Sequence, residues 1–231
     1  MIRNFLVDAD ETILDFVRSS RESFVKTLKS FGIEQAESFY GRFKEINDSL
    51  WREYEKGTIT KSDLVVERFS RLFKQLKIDK DARCVNERYF ATLCDTGYLL
   101  PGARTFLDRL RMRGKVFLIT NGTPAAQYGR LKSVGLEHFF DGVFISDEIG
   151  YAKPDEQFFT YVLNRLQVSK CACIVIGDSL TSDMKGANNA GISSIWYNPQ
   201  GKKAEGAEPD FVAQNYDQVL ERIDDLQRKG S

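Results

Sequence analysis

The sequence predicts an α/β fold: a doubly wound parallel sheet interrupted early by an inserted helical bundle. Three observations carry that prediction. Short apolar runs alternate with helical stretches from Pro101 onward, the stretch from about Val17 to Gly97 is helical throughout, and the apolar runs end in polar residues. Strands alternating with helices at this spacing imply right-handed crossovers and parallel pairing, with helices on both faces of the sheet.

The first strand runs through Phe5, Leu6 and Val7 and stops in acid at Asp8, Asp10 and Glu11. Asp8 and Asp10 stand two apart, so in extended chain both carboxylates face one side. Like charges that close repel, and the fold must supply a cation or a shared proton. A metal site, a catalytic pair and a solvated turn after an edge strand all fit this segment taken alone.

The insertion follows. Phe24, Leu28 and Phe31 fall at helical spacing before Gly32; Phe39, Phe43, Ile46, Leu50, Trp51 and Tyr54 continue the period to Gly57. Thr60 and Asp63 form a capping-box variant ahead of Leu64, Val65, Phe69, Leu72, Phe73 and Leu76, and a fourth helix carries Val85, Tyr89, Phe90 and Leu93. Four apolar faces can close on one another as a bundle. Residues 16–97 are therefore expected to form a helical domain set into a core made of 1–15 and 98–231. Trp51 and Tyr54 share a stripe with Leu50 and Phe43, so a place in the bundle's own core competes with a stacking platform for a base.

From Pro101 the core resumes. A helix with Phe106, Leu107 and Leu110 closes at Gly114; a strand over Lys115–Ile119 ends in Thr120-Asn121-Gly122, and a helix spans Pro124–Val134. Gly142–Ile145 is the next strand, followed by Lys153-Pro154 and a helix over Asp155–Leu166. Ala172–Ile176 is a strand ending in Gly177-Asp178-Ser179, with a helix over Asp183–Ala190, a strand over Ile192–Trp196 and a short last strand at Phe211-Val212. Asn198–Pro209, rich in Gly, Lys and Pro, is a surface loop.

Composition narrows the function. At 231 residues the chain can bury a large core without disulfides, and Lys+Arg 33 against Asp+Glu 33 leaves a net charge of +0. No overall field draws it to nucleic acid polymers or membranes, so any phosphate binding is local. The N-terminus lacks the pattern of a signal peptide and no run reaches transmembrane length, which makes the cytoplasm the expected location. Cys84, Cys94, Cys171 and Cys173 make no Cys-x-x-Cys pair, and the alternating Cys171 and Cys173 are expected to be buried free thiols. The single histidine, His138, excludes sites built on several imidazoles and is expected to be a packing or surface residue.

Ligands of an open parallel sheet bind beyond the carboxyl ends of its strands. Asp8 and Asp10, Thr120 and Asn121, Lys153, and Asp178 with Asp183 all fall there. Each alone has an ordinary reading as a turn or a helix cap. Together they make a set: carboxylates of the kind Mg²⁺ prefers, a lysine and a hydroxyl for phosphate oxygens, and a carboxylate able to attack phosphorus while another moves the proton.

In this order, Asp-x-Asp-x-Thr at Asp8, Asp10 and Thr12, then Thr120-Asn121, Lys153-Pro154 and Gly177-Asp178 with Asp183, together with the helical insertion, resemble the haloacid dehalogenase superfamily of phosphohydrolases. The resemblance spans essentially the whole chain. It implies a Rossmann-like core with a helical cap, Asp8 as a nucleophile forming a phosphoaspartyl intermediate, and Asp10 as general acid and then base. It further implies Thr120, Asn121 and Lys153 on the substrate phosphoryl group, and Mg²⁺ on Asp8, the backbone carbonyl of Asp10 and Asp178. Asp183 would support by orienting metal-bound water or Lys153.

Dehalogenases of the superfamily typically lack an acid at the position of Asp10 and use no Mg²⁺, so Asp10 argues for phosphate chemistry. Glu11 stands where the commoner motif has Gly, and the insertion reads Trp-x-x-Tyr-x-x-Gly-x-Ile-Thr from Trp51 to Thr60. Both features look like bacterial pyrimidine 5′-nucleotidases that act on non-canonical nucleotides. The implied function is a Mg²⁺-dependent phosphomonoesterase, a 5′-nucleotidase on pyrimidine nucleoside monophosphates, whose partner is a small nucleotide-like phosphate ester. A phosphatase of a sugar phosphate, a phosphosugar mutase and a non-catalytic binding protein are the alternatives; intact Asp8, Asp10, Lys153 and Asp178 weigh against the last. Glu11 has no assigned role, and nothing in the sequence points to an oligomeric state.

Overall fold

A computed structural model describes residues 1–229. Its strands are β1 (Asn4–Asp8), β2 (Lys115–Thr120), β3 (Gly142–Ile145), β4 (Cys173–Gly177), β5 (Ser193–Tyr197) and β6 (Phe211–Ala213). Its helices are α1 (Phe16–Ser30), α2 (Ala36–Glu55), α3 (Lys61–Leu76), α4 (Ala82–Cys94), α5 (Ala103–Arg111), α6 (Pro124–Ser133), α7 (Ser146–Ile149), α8 (Glu156–Leu166), α9 (Lys185–Ala190) and α10 (Tyr216–Lys229). They fall into two compact units. One holds Met1–Asp15, Leu99–Pro124 and everything described from Val134 on; the other holds Phe16–Tyr98 and Ala125–Ser133.

The first unit is the sheet. Every neighbouring pair is parallel, in the order β3-β2-β1-β4-β5-β6. β1, β2 and β4 read NFLVD, KVFLIT and CIVIG, the near-continuous apolar runs of strands covered on both faces. One face packs Leu6, Ile119 and Val175 against Phe158, Phe159 and Val162 of α8 and Ala187 of α9. α5 and α10 lie together on strands of the same sheet, with Phe106, Leu107 and Leu110 of the first and Val219, Leu220 and Ile223 of the second buried.

Strand order fixes where the polar ends meet. The chain steps from β1 to β2 and β3 on one side and places β4, β5 and β6 on the other, so the order reverses between β1 and β4. A crevice opens outside the carboxyl ends at such a switch point. Val7 pairs with Ile176 and Asp8 with Ile119, which puts the residues after Val7, Ile119 and Ile176 at one edge.

The second unit has its own core. Phe24 stacks on Phe43 at 4.5 Å and on Phe69 at 6.2 Å between ring centroids, and Tyr89 meets Phe43 and Phe69 edge-on at 5.5 Å. Asp63 N–H donates to the Thr60 hydroxyl, so the anticipated cap opens α3. Trp51 and Tyr54 pack on this core with their rings edge-to-face, 5.6 Å apart, and the Lys61 ammonium lies 5.3 Å from the Tyr54 ring.

Four details differ from expectation. Residues 125–133 were expected with the core, but α6 packs on the end of α4: a Cβ on Gly129 would lie 2.2 Å from the Cys94 carbonyl oxygen, so only glycine permits the approach. Cys171 is exposed, because Lys170–Ala172 form a 3-10 turn and the strand starts at Cys173, which alone of the four thiols is buried. The helix expected over Asp183–Ala190 is split into a π-helical turn, Leu180–Met184, and α9; the Ser179 carbonyl accepts from both Asp183 and Met184 N–H. α10 is an addition, with Val219, Leu220 and Ile223 as its apolar stripe. His138 is exposed beside Glu137, and among the described residues no helix is long and apolar enough to cross a membrane.

Candidate active site

The site is built at the β1–β4 switch point around one buried cation. Lys153, 2% exposed, lies on the segment between β3 and α8. Its ammonium donates to Asp8 Oδ1 at 2.6 Å, Asp183 Oδ1 at 2.7 Å and the Ile119 carbonyl at 3.2 Å. An ammonium has three N–H bonds, and all three have acceptors. Asp8 ends β1, Ile119 lies in β2, and Asp183 sits in the π-helical turn after β4, so one side chain ties three strand ends together.

Each partner is itself held. Thr12 hydroxyl donates to Asp8 Oδ2 at 3.2 Å. Ser179 N–H donates to Asp183 Oδ2 at 3.1 Å. The wide π turn makes this geometry, because it brings Asp183 back under Gly177: a Cβ there would sit 2.3 Å from Asp183 Oδ2. Trp196 of β5 donates its indole N–H to the Asp178 carbonyl at 2.8 Å, fixing the backbone of the residue that follows β4.

Asn121 is engaged with the backbone of Lys153. Its side-chain amide donates to the Lys153 carbonyl at 2.7 Å, and Lys153 N–H donates to Asn121 Oδ1 at 2.9 Å. This reciprocal pair ties the end of β2 to the lysine's backbone. Thr120 is 2% exposed, and its hydroxyl accepts from Gly122 N–H at 3.0 Å.

The carboxylates outnumber the cation. Asp8, Asp178 and Asp183 bring oxygen atoms within 4.8 Å of one another. Three carboxylates against one ammonium leave an excess of two negative charges when all ionise. Burial, the charges of Asp183 and Asp10, and an opposing pull from Lys153 leave the Asp8 carboxyl pushed up to about 7. Asp178 is raised well above the ordinary carboxylate range by burial and then by Asp8, Asp183 and Glu11, with Lys202 acting against them. Lys153 moves the other way: burial disfavours its charge, but Asp183 and Asp8 more than offset that, and its pKa is raised. All-oxygen donors, anionic excess and high acid pKa values fit a hard divalent cation. Asp10 carries its carboxyl outside that oxygen cluster, while its backbone belongs to the turn after β1.

A parallel sheet with an acid–lysine–acid centre at its switch point and a separate helical unit defines a class of hydrolase. The model of the haloacid dehalogenase-like hydrolases matches residues 2–191, and the chain belongs to this family. It is 36% identical over 222 residues to the pyrimidine 5′-nucleotidase PynA of Streptococcus pneumoniae, covering 95% of this chain and 94% of that one. It is 30% identical over 207 residues to the pyrimidine 5′-nucleotidase YjjG of Escherichia coli, covering 89% and 90%. Among solved structures, the HAD-hydrolase YfnB of Bacillus subtilis bound to magnesium superposes with a TM-score of 0.91 at 31% identity, covering 96% of this chain and 98% of that one. The chain is thus a phosphohydrolase of this family, in keeping with the expected fold and enzyme class.

Two predictions follow from the packing and the charge excess. Gly177→Ala should displace Asp183 from Lys153, lowering stability by about 1–3 kcal/mol in urea denaturation and activity by about a hundredfold. The second concerns pH. A carboxyl with a raised folded-state pKa holds its proton more tightly when folded, so the stability it contributes is full below its unfolded value near 3.8 and is lost as pH rises through about 7. In chelator, Asp8→Asn should therefore melt at least about 3 °C above wild type near pH 8, with the two curves converging toward acid pH; equal melting temperatures at alkaline pH would contradict this.

Proposed function

We propose that this chain is a Mg²⁺-dependent phosphomonoesterase acting through a phosphoaspartyl intermediate on Asp8, with pyrimidine nucleoside 5′-monophosphates as substrates. The observation that carries the reading is the buried Lys153 ammonium bonded to both Asp8 and Asp183 beside Asp178. It supplies charge stabilisation for an ionised nucleophile and for phosphoryl oxygens, and it leaves an anionic excess for a divalent cation to balance. Asp8, Asp178 and the backbone carbonyl of Asp10 are the donors for Mg²⁺, which when bound adds positive charge where phosphoryl oxygens gather.

The residues divide the work. An Asp8 carboxylate oxygen attacks phosphorus, and the bond from phosphorus to the ester oxygen breaks. Asp10 delivers a proton to that oxygen, so the alcohol leaves neutral. Water then attacks the phosphoaspartyl phosphorus while Asp10 takes its proton, releasing inorganic phosphate and restoring Asp8. Lys153 and the Thr120 hydroxyl stabilise phosphoryl oxygens, and Asn121 and Asp183 keep Lys153 in place, so that little reorganisation is needed as charge shifts.

Nucleotide preference is supported by the two relatives named pyrimidine 5′-nucleotidases, each aligned over more than four fifths of its length. Glu11 and the Trp51–Thr60 pattern point the same way. A phosphate-release panel with Mg²⁺ tests it: UMP, dUMP or dTMP should exceed purine nucleotides and sugar phosphates by about tenfold or more in kcat/KM. A sugar phosphate at the head of the panel would overturn the substrate class, and an isomerised sugar phosphate without free phosphate would indicate a mutase. Asp8→Asn should lower kcat by about a thousandfold or more while keeping the fold; near-wild-type turnover by that variant would remove the phosphoaspartyl mechanism.

A further inference from the structure

We propose that Tyr216 is a positioning residue for the acid turn: its hydroxyl fixes the Thr12 carbonyl and, through Thr12, the carboxylate of Asp8. The catalytic consequence rests on Asp8 being the nucleophile, as proposed above.

Tyr216 is the first residue of α10, 204 positions beyond Thr12 in sequence, and its hydroxyl donates to the Thr12 carbonyl at 2.8 Å. The ring that carries this hydroxyl is held on both sides. Phe106 of α5 stacks on it at 4.4 Å with the planes 12° apart, and Tyr197 at the end of β5 stacks on it at 4.8 Å and 2°. A tyrosine has two side-chain torsions before its rigid ring, so two stacking partners suffice to aim the hydroxyl. Thr12 is fully buried, and its own hydroxyl is the donor to Asp8 Oδ2. Contacts therefore run unbroken from the α5–α10 layer to the carboxylate.

The turn needs such support. Glu11 adopts φ 59°, the left-handed conformation that a residue with a Cβ avoids. Within the turn, Glu11 N–H donates to the Leu14 carbonyl at 2.8 Å, and Ile13 and Leu14 N–H share the Ala9 carbonyl at 3.0 and 2.8 Å. These bonds close the loop on itself. The bond to Tyr216 ties it to the opposite end of the chain, and a buried carbonyl stripped of its donor would favour another turn geometry. A strained backbone beside reacting groups persists when its surroundings over-determine it.

The test compares Tyr216→Phe, which keeps the ring and deletes the hydroxyl, with Val219→Ala, which weakens α10 one turn further on. Tyr216→Phe should lower kcat about tenfold with KM within about twofold of wild type. Val219→Ala, at a similar loss of Tm, should leave kcat within about twofold. Amide exchange at Glu11, Ile13 and Leu14 should be about tenfold faster in Tyr216→Phe than in Val219→Ala. If kcat follows Tm across both variants, or the three amides exchange alike, Tyr216 is a packing residue and the proposal falls. A wild-type chain that releases no phosphate from any ester would refute the proposed function, and the exchange comparison alone would then decide whether Tyr216 positions the turn.

Discussion

The bond from the Lys153 ammonium to Asp8 and Asp183 is the interaction on which the first unit depends. A fully buried cation survives only if its lost hydration is replaced, and here three acceptors replace it. Those acceptors come from the end of β1, from β2 and from the turn after β4. Strand order brings them together: with β2 and β4 flanking β1, each acceptor lies within reach of one ammonium. The same bond keeps repelling acids at one edge, since without the lysine three carboxylates, two of them buried, would face one another unopposed.

Around that centre the backbone yields to the side chains. The π turn exists where Ser179 accepts two N–H groups, and it returns Asp183 to lysine reach. Gly177 is small because Asp183 occupies the place of a side chain. Asn121 spends its side chain on the backbone of Lys153. Each of these groups removes a freedom from the Asp8–Lys153–Asp183 centre, the kind of restraint that lowers the reorganisation a reaction requires.

Much of this was legible because the signals are local. Apolar runs that end in Asp8, Thr120 and Asp178 mark strand ends by hydropathy alone, and parallel topology gathers strand ends into one edge. Gly129 inside an expected helix carried a signal too, since glycine there costs helix stability and marks a close approach; its partner, Cys94, could not be named from sequence. The α10 stripe of Val219, Leu220 and Ile223 was equally readable by spacing. The Asn121–Lys153 pair was not, because 32 residues separate its members and only folding sets them opposite each other. Cys171 escapes the alternation for a physical reason: alternation buries a side chain only within a strand, and the strand begins at Cys173.

The helical unit shows why a buried cation does not by itself make a site. Arg68, 3% exposed, donates to Asn86 Oδ1, Asn47 Oδ1 and the Val65 carbonyl, and its guanidinium lies 4.6 Å from the Tyr89 ring centroid. These partners are dipoles and π faces, and burial lowers the arginine's pKa. Carbonyl dipoles and ring faces satisfy that cation without gathering formal negative charge. At Lys153 the balance is reversed, because the acids exceed the base and raise its pKa. A surplus of carboxylates suits a further cation, and a cation held there beside the lysine would suit phosphate. The direction of the imbalance, more than the burial of the charge, separates a packing device from a centre poised for phosphoryl chemistry.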